Sequence, residues 1–348
     1  MPDHEIYMRR CLELAALGKG YVSPNPLVGA VIVHQGKIIG EGYHHQYGEA
    51  HAEVNAVNQV LTRFGNAAEL LIQSTIYVSL EPCAHFGKTP PCADLIIRHQ
   101  IPNVVVGCRD PFPQVDGKGI EKLIEAGIDV TCGVLEDECK WLNRRFFTRV
   151  LKHRPYIILK WAQTTDGFFA PDNGEQYWIT GLESRKLVHQ WRSEEDAVLV
   201  GKNTAAIDNP QLNVRYGQGK SPKRVVIDRK LELNTTLNIF DQSVETFIIN
   251  ELKTDIEGNI KYIALEDFEH YVPQYILFQL YLQDIQSVII EGGAKTLNAF
   301  IAADLWDEAR IFTGDGNLKQ GIQAPAITGA IEGEYASGRD KLVILING

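Results

Sequence analysis

One imidazole, two thiols and one carboxylate define the chemistry open to the first part of this chain. His51 is followed two residues later by Glu53, and the thiols stand in Glu81-Pro82-Cys83 and Pro90-Pro91-Cys92. A histidine and two cysteines can hold zinc and leave the fourth position to water, which is the make-up of a catalytic zinc site. Zinc deaminases of bases and nucleosides use this set, with a glutamate that moves protons and does not ligate the metal. A zinc-bound water ionises near pH 7. Glu53 is then expected to take its proton and deliver it to a ring nitrogen and to the leaving amine. The expected reaction is hydrolytic loss of an exocyclic amine, leaving a ring carbonyl and ammonia. Eight residues separate Cys83 from Cys92, where the common deaminase signature has two.

Taken singly, each residue has a commoner use. A lone cysteine is usually a buried hydrophobe, and a glutamate in the first turn of a helix is usually exposed. The surrounding elements favour the joint reading. Helices are expected over 3–18, 51–63, 92–99, 118–126 and 135–150, the third starting just after Pro90-Pro91. Strands are expected at 27–33 and 37–42, flanking the turn His34-Gln35-Gly36, and at 75–80, 103–107 and 129–132. His51 and Cys92 would each open a helix and Cys83 would follow a strand, the places where α/β sheets gather ligands. Helix N-termini also favour thiolate over thiol. Residues two apart on a regular helix face different ways, so His51 and Glu53 can share a site only if the helix begins there.

The chain has 348 residues, enough for two α/β domains, and the stretch Lys152-His153-Arg154-Pro155 reads as their junction, dividing the chain into 1–150 and 151–348. Beyond it, strands are expected at 156–161, 197–201, 224–228, 246–250, 287–290, 308–312 and 341–346. Helices are expected at 181–192, 273–283 and 294–303, with 313–340 irregular. A net charge of -10 argues against attraction to nucleic-acid backbones. No apolar run reaches a membrane span, and the opening residues lack the apolar core of a secretory signal. All six cysteines fall in the first 140 residues. A disulfide framework would be odd there, and a reducing cytoplasm is the expected setting.

The segments Gly42-Tyr43-His44, Gly48 to Glu53 and Glu81 to Cys92 closely resemble the deaminase half of the bifunctional riboflavin-biosynthesis (RibD) family. The long cysteine spacer is characteristic of that family. Ser23-Pro24-Asn25-Pro26-Leu27-Val28-Gly29 matches it too. The resemblance implies a cytidine-deaminase-like α/β/α sandwich with one zinc ion on His51, Cys83 and Cys92. It makes Glu53 the catalytic residue and places Asn25 and His44 against the pyrimidine. His85 and Lys88 in the spacer could meet a sugar phosphate. In Asp110-Pro111-Phe112-Pro113 the family usually has Asn where this chain has Phe112.

In the second half, Lys160 to Gly167, Gly201-Lys202-Asn203-Thr204, Asp208 to Arg215 and Glu291-Gly292-Gly293-Ala294-Lys295-Thr296-Leu297 each join or follow a strand. A Gly-Gly turn opening a helix lets backbone amides approach a diphosphate. Together these segments resemble the reductase half of the same family, which implies a dihydrofolate-reductase-like α/β domain using NADPH. By motif position, Ala162, Trp178, Thr204, Asp208, Gly293, Ala294, Lys295, Thr296, Leu297, Asn298 and Ala299 should line the cofactor site. Arg229, just after the strand expected at 224–228, could meet the 2′-phosphate, a plain surface arginine being the commoner use. Lys160, Gln176, Arg192, Leu212, Arg215 and Glu291 should face the substrate, Gln176 standing where a smaller Ser is common. Lys160 and Asp166 are candidates for polarising or binding roles.

The resemblance implies a small-molecule substrate, 2,5-diamino-6-ribosylamino-4(3H)-pyrimidinone 5′-phosphate, deaminated and then reduced to 5-amino-6-(5-phosphoribitylamino)uracil. It also implies a homo-oligomer with no nucleic-acid or membrane partner. The alternatives are a nucleoside or nucleic-acid deaminase with an unrelated appended domain, and a zinc-stabilised binding module. Glu53 argues against the second, since a structural metal site has no use for a proton carrier.

Overall fold

The computed structural model describes residues 4–84, 86 and 90–348. They divide into two compact units, Met1–Lys152 and His153–Gly348. Among the described residues no helix is long and apolar enough to cross a membrane.

In the first unit, five strands form one sheet in the order Lys37–Tyr43, Gly29–His34, Thr75–Leu80, Asn103–Cys108, Asp129–Cys132. The hairpin pairs are antiparallel and the last three strands run parallel. Alternating side chains serve opposite faces. Ile32, Ile76, Val78, Val104 and Val106 meet the helices Ala52–Arg63, Cys92–Arg98 and Lys118–Glu125 through Val57, Ile96 and Leu123. Val31, Tyr77 and Val105 meet Met8, Cys11 and Cys139 of His4–Ala16 and Glu136–Leu142 on the other face. The sheet therefore sits between two helical layers.

Two glycines bring the helix Ala52–Arg63 hard against the strand Lys37–Tyr43. A Cβ on Gly42 would stand 2.4 Å from both the carbonyl oxygen of Ala52 and the amide of Ala56, and one on Gly40 would stand 2.6 Å from the carbonyl oxygen of Ala56. The start of that helix, with His51 and Glu53, is thereby set by backbone-to-backbone approach. The stretch expected as one closing helix is two, Glu136–Leu142 and Arg144–Lys152. Asn143 interrupts it because its side chain is used elsewhere. Its Oδ1 accepts the Leu27 N–H at 2.8 Å and its Nδ2 donates to the Leu27 carbonyl at 2.9 Å, tying the helices to the entry of the hairpin.

In the second unit, ten strands run in the order Asp255–Glu257, Ile260–Ala264, Thr246–Asn250, Lys223–Ile227, Ala197–Gly201, Ser287–Gly292, Tyr156–Gln163, Glu308–Thr313, Asp340–Ile346, Ala330–Ser337. The strands from Ile260–Ala264 to Glu308–Thr313 pair in parallel, with antiparallel partners at both edges. The central strands read as apolar runs because both faces are covered. Ile157, Leu159, Leu199 and Ile290 pack against Val272–Leu282 and Ala294–Ala302. Ile158, Val198, Val200 and Ile289 pack against Leu182–Glu194.

The region expected to be irregular contains the eight-residue edge strand Ala330–Ser337, whose residues are mostly exposed. With one face in solvent and a register shift between Ile331 and Gly333, it lacks the alternation that would announce it.

Candidate active sites

His51 is the N-cap of the helix Ala52–Arg63, with extended backbone (φ -74°, ψ 165°). Its ring therefore escapes the helical array while Glu53 lies in the first turn. Cys83 follows the strand Thr75–Leu80, and Cys92 opens the helix Cys92–Arg98 after N-cap Pro91. The His51 Nδ1 lies 3.7 Å from Cys83 Sγ and 3.3 Å from Cys92 Sγ, and all three donor atoms fall within 4.8 Å of one another. Ordinary Zn–S and Zn–N bonds at a tetrahedral angle separate N and S by about 3.6 Å. The donor set fits zinc in both chemistry and spacing.

The Cys83 thiol is pulled well below its ordinary range, first by the hydrogen bond from the Cys92 thiol and then, against the opposing effect of burial, by His51 and the Cys92 backbone N–H. That N–H points at Cys83 Sγ from 3.3 Å. Glu53 is 3% exposed, and burial raises its carboxyl above the usual range. A carboxyl tuned upward holds a proton more readily than an ordinary one, which suits a group that must both accept and donate it.

Asn25 and His44 come together beside this cluster. Asn25 Nδ2 is 3.1 Å from His44 Nε2, and His44 Nδ1 is 3.1 Å from the Ala50 carbonyl. A carbonyl only accepts and an amide nitrogen only donates, so the proton sits on Nδ1 and the ring is neutral. Burial lowers the His44 pKa in the same sense. The His44 ring stands edge-on to His51 with centroids 5.4 Å apart. His85 and Lys88 lie outside the described residues. Asp110, a buried carboxyl that spacing arguments passed over, is pushed up to about 7 by burial.

The second unit holds a cavity of about 1630 Å³ at the carboxyl ends of its parallel strands, where open α/β sheets place their ligands. Lys160, Ala162, Gln176, Trp178, Arg192, Thr204, Asp208, Leu212, Arg215, Arg229, Glu291, Gly293, Ala294, Lys295, Thr296 and Ala299 all line it. Its size exceeds the roughly 300–1,000 Å³ of an ordinary ligand pocket and leaves room for two molecules.

Two helices begin at the cavity with glycine N-caps, Gly201 before Lys202–Asp208 and Gly293 before Ala294–Ala302, and neither has a side-chain cap. A Cβ on Gly201 would stand 2.5 Å from Thr296 Oγ1, and one on Gly293 would stand 3.2 Å from Thr204 Oγ1. The two helix starts are therefore interlocked, and their first amides suit a diphosphate. This fits a nicotinamide dinucleotide. Beside them Arg192 and Lys160 flank Glu291. Burial pushes the Lys160 amine down, and burial would raise Glu291 were it not for Arg192 and Lys160, which hold it at about 2.

Several expectations need correction. Leu297 is fully buried among Phe300, Ile290 and Leu280 in the core, and Asn298 faces solvent; neither lines the cavity. In a helix starting at Ala294, only some positions can look back at its own N-terminus. Asp166 is engaged by the Thr164 hydroxyl (2.6 Å) and the backbone amides of Leu318 (3.2 Å) and Lys319 (2.8 Å), so it closes a turn outside the cavity walls. Arg229, by contrast, does line the cavity, where its guanidinium pairs with Glu251 at 2.5 Å and Glu269 at 2.7 Å.

His189 was missed. Buried on the helix Leu182–Glu194, it lines the cavity one turn before Arg192, and its Nδ1 accepts the Arg215 backbone N–H at 2.9 Å. The three-residue spacing to Arg192 was the available signal.

Residues 155–334 match the family model of the RibD C-terminal domain, and residues 1–108 match that of the cytidine and deoxycytidylate deaminase zinc-binding region. The riboflavin biosynthesis protein RibD of Aquifex aeolicus is 42% identical over 323 residues, 91% of this chain and 88% of its own. The chain belongs to the RibD family. The RibD of Escherichia coli is 36% identical, covering 88% of this chain and 86% of its own. A crystal structure of a diaminohydroxyphosphoribosylaminopyrimidine deaminase/5-amino-6-(5-phosphoribosylamino)uracil reductase from Thermotoga maritima superposes with a TM-score of 0.89 at 37% identity, covering 99% of both chains. Since the RibD C-terminal model spans residues 155–334, the second unit is no unrelated appendage.

Proposed function

We propose that this RibD-family chain deaminates 2,5-diamino-6-ribosylamino-4(3H)-pyrimidinone 5′-phosphate in residues 1–150 and reduces the product with NADPH in residues 151–348. The end product is 5-amino-6-(5-phosphoribitylamino)uracil. The observation that carries the reading is the His51 Nδ1, Cys83 Sγ and Cys92 Sγ cluster beside buried Glu53, on a chain whose second unit matches the RibD C-terminal model and holds a large cavity.

His51, Cys83 and Cys92 would hold one zinc ion. When bound, zinc makes water acidic enough to lose a proton near neutral pH. Glu53 would carry two protons in turn. One passes from the water to the ring nitrogen as hydroxide adds to the carbon bearing the amine, and one from the added hydroxyl to the departing amine. One water is consumed, one ammonia is released and Glu53 ends as the carboxylate. Asn25 and neutral His44 orient the pyrimidine through the amide and the ring edge.

In the second unit, the amides at Gly293 to Thr296 and the Thr204 hydroxyl hold the dinucleotide, which when bound supplies a hydride. Arg192 and Arg215 suit the substrate phosphate, which guanidinium groups grip at two points. Lys160 and Glu291 would orient the ribose carbon, whose ring-opened imine form accepts that hydride at carbon and a proton from solvent at nitrogen, leaving a ribityl chain. The substrate is a small molecule, the protein acts in the cytoplasm as a homo-oligomer, and neither nucleic acid nor membrane takes part.

The test is coupled turnover by the purified chain, following ammonia and NADPH together. One ammonia released per NADPH oxidised is expected. Turnover of cytidine or an RNA without turnover of the pyrimidine phosphate would overturn the assignment.

A further inference from the structure

Glu81 takes part in none of the steps above, yet it is 4% exposed and accepts four backbone N–H groups. Its Oε2 accepts from Asp110 at 3.3 Å and Gly117 at 3.0 Å, and its Oε1 accepts from Gly119 at 3.0 Å and Ile120 at 3.3 Å. Gly117 is the N-cap of the helix Lys118–Glu125, which has no side-chain cap of its own. The first amides of a helix have no partners within it. Glu81 satisfies them from a distant part of the chain and sets a negative charge at the positive end of the helix. The approach is close, since a Cβ on Gly119 would stand 1.9 Å from the Pro82 carbonyl oxygen.

On the far side of Pro82 the same device recurs. The Cys92 N–H points at Cys83 Sγ from 3.3 Å, and the Ala93 N–H donates to the Cys83 carbonyl at 3.2 Å. Residues 81–83 are therefore held between two helix N-termini, one gripping the Glu81 carboxylate and the other the Cys83 sulfur and carbonyl.

We propose that Glu81 is a positioning residue of the metal centre: by locking Pro82 and Cys83 onto the 110–120 segment, it presents Cys83 Sγ to the metal in advance. The proposal rests on the zinc reading. The four donors require a carboxylate, because both its oxygens only accept. Glu81→Gln would turn an NH₂ group towards two N–H donors. Glu81→Asp keeps the charge but falls one methylene short.

The experiment measures zinc content of the full chain and the rate at which zinc passes to a chromophoric chelator. Val105→Ala serves as comparison, since Val105 is buried on the strand Asn103–Cys108 of the same sheet and is not part of the Glu81 clamp. Loss of such a supporting partner weakens metal binding about 10–100-fold, so zinc release from Glu81→Gln is expected to speed up by that factor. Val105→Ala, although less stable, is expected to release zinc at close to the wild-type rate.

Release at the wild-type rate from Glu81→Gln, or rates that follow melting temperature alike in both variants, would overturn the proposal. Should Glu81→Gln not accumulate as folded protein, Glu81→Asp is read in the same way, with faster release expected. A wild-type chain that binds no zinc overturns the metal reading itself, and the proposal with it.

Discussion

Arg192 forks onto Glu291, its Nε 2.8 Å from Oε1 and its Nη2 2.8 Å from Oε2, with Lys160 Nζ 3.8 Å from Oε2. Two cations share one buried anion at the cavity wall, leaving one positive charge over. Burial alone would raise the Glu291 pKa, but Arg192 and Lys160 hold it at about 2 against an ordinary 4.5. A depressed folded-state value means that the unfolded chain binds the proton first. Glu291 therefore contributes its full stabilisation above pH 4.5, and loses it as pH falls towards 2. Denaturant midpoints measured from pH 7 downward should show this loss. Glu291→Gln should cost about 3–5 kcal/mol at pH 7 and flatten the acid decline; wild-type stability in this variant would refute the argument.

Replacing Glu53 by Gln keeps its shape and removes its proton chemistry. Ammonia release should fall about 10²–10⁴-fold, while zinc content stays at the wild-type level. NADPH oxidation with the deaminated intermediate supplied should be unaffected. Deaminase activity within threefold of wild type would remove Glu53 from the mechanism.

Stripping the metal should expose a reactive thiol. The hydrogen bond from Cys92 lowers the Cys83 pKa, whereas partial desolvation, with the nearby carboxylates of Glu136 and Glu81, raises that of Cys132. In chelator-treated protein at pH 6, iodoacetamide should label Cys83 before Cys132, because the thiolate is the reactive form. Added zinc should protect Cys83. Peptide mapping by mass spectrometry reads the order of labelling directly, and equal labelling with and without zinc would count against Cys83 as a ligand.

Gly42→Ala would place a methyl group 2.4 Å from the backbone of Ala52 and Ala56. Backbone cannot step aside as a side chain can, so the helix bearing His51 and Glu53 has to shift. Overpacking of this kind costs about 1–3 kcal/mol. Deaminase turnover should drop at least about tenfold, since small misplacements of catalytic groups are costly, with NADPH oxidation on supplied intermediate as the internal control. Undiminished ammonia release would show that the helix start tolerates displacement.

The first unit was legible because its chemistry sits at element boundaries. His51, Cys83 and Cys92 lie at a helix N-cap, after a strand and at a helix start, places that apolar periodicity and paired prolines reveal. The part played by Glu81 is not legible beside Pro82 and Cys83, because its partners are backbone amides contributed by 110–120, and main-chain donors leave no residue-type signature. The break at Asn143 was hidden for a similar reason: a long-range bond to Leu27 overrides local helix propensity. In the second unit the Gly-Gly turn was readable, whereas the turning of Leu297 into the core depends on helix phase, which a motif match does not resolve.

The large cavity has walls drawn entirely from residues 160–322. The residues lining that cavity are thus encoded on one side of Lys152, and the His51, Cys83 and Cys92 cluster with Glu53 is encoded on the other. Each reaction could evolve its own tolerance to mutation without negotiating with the other. A single chain meanwhile means that every deaminating centre is synthesised with one reducing chamber, in equal number.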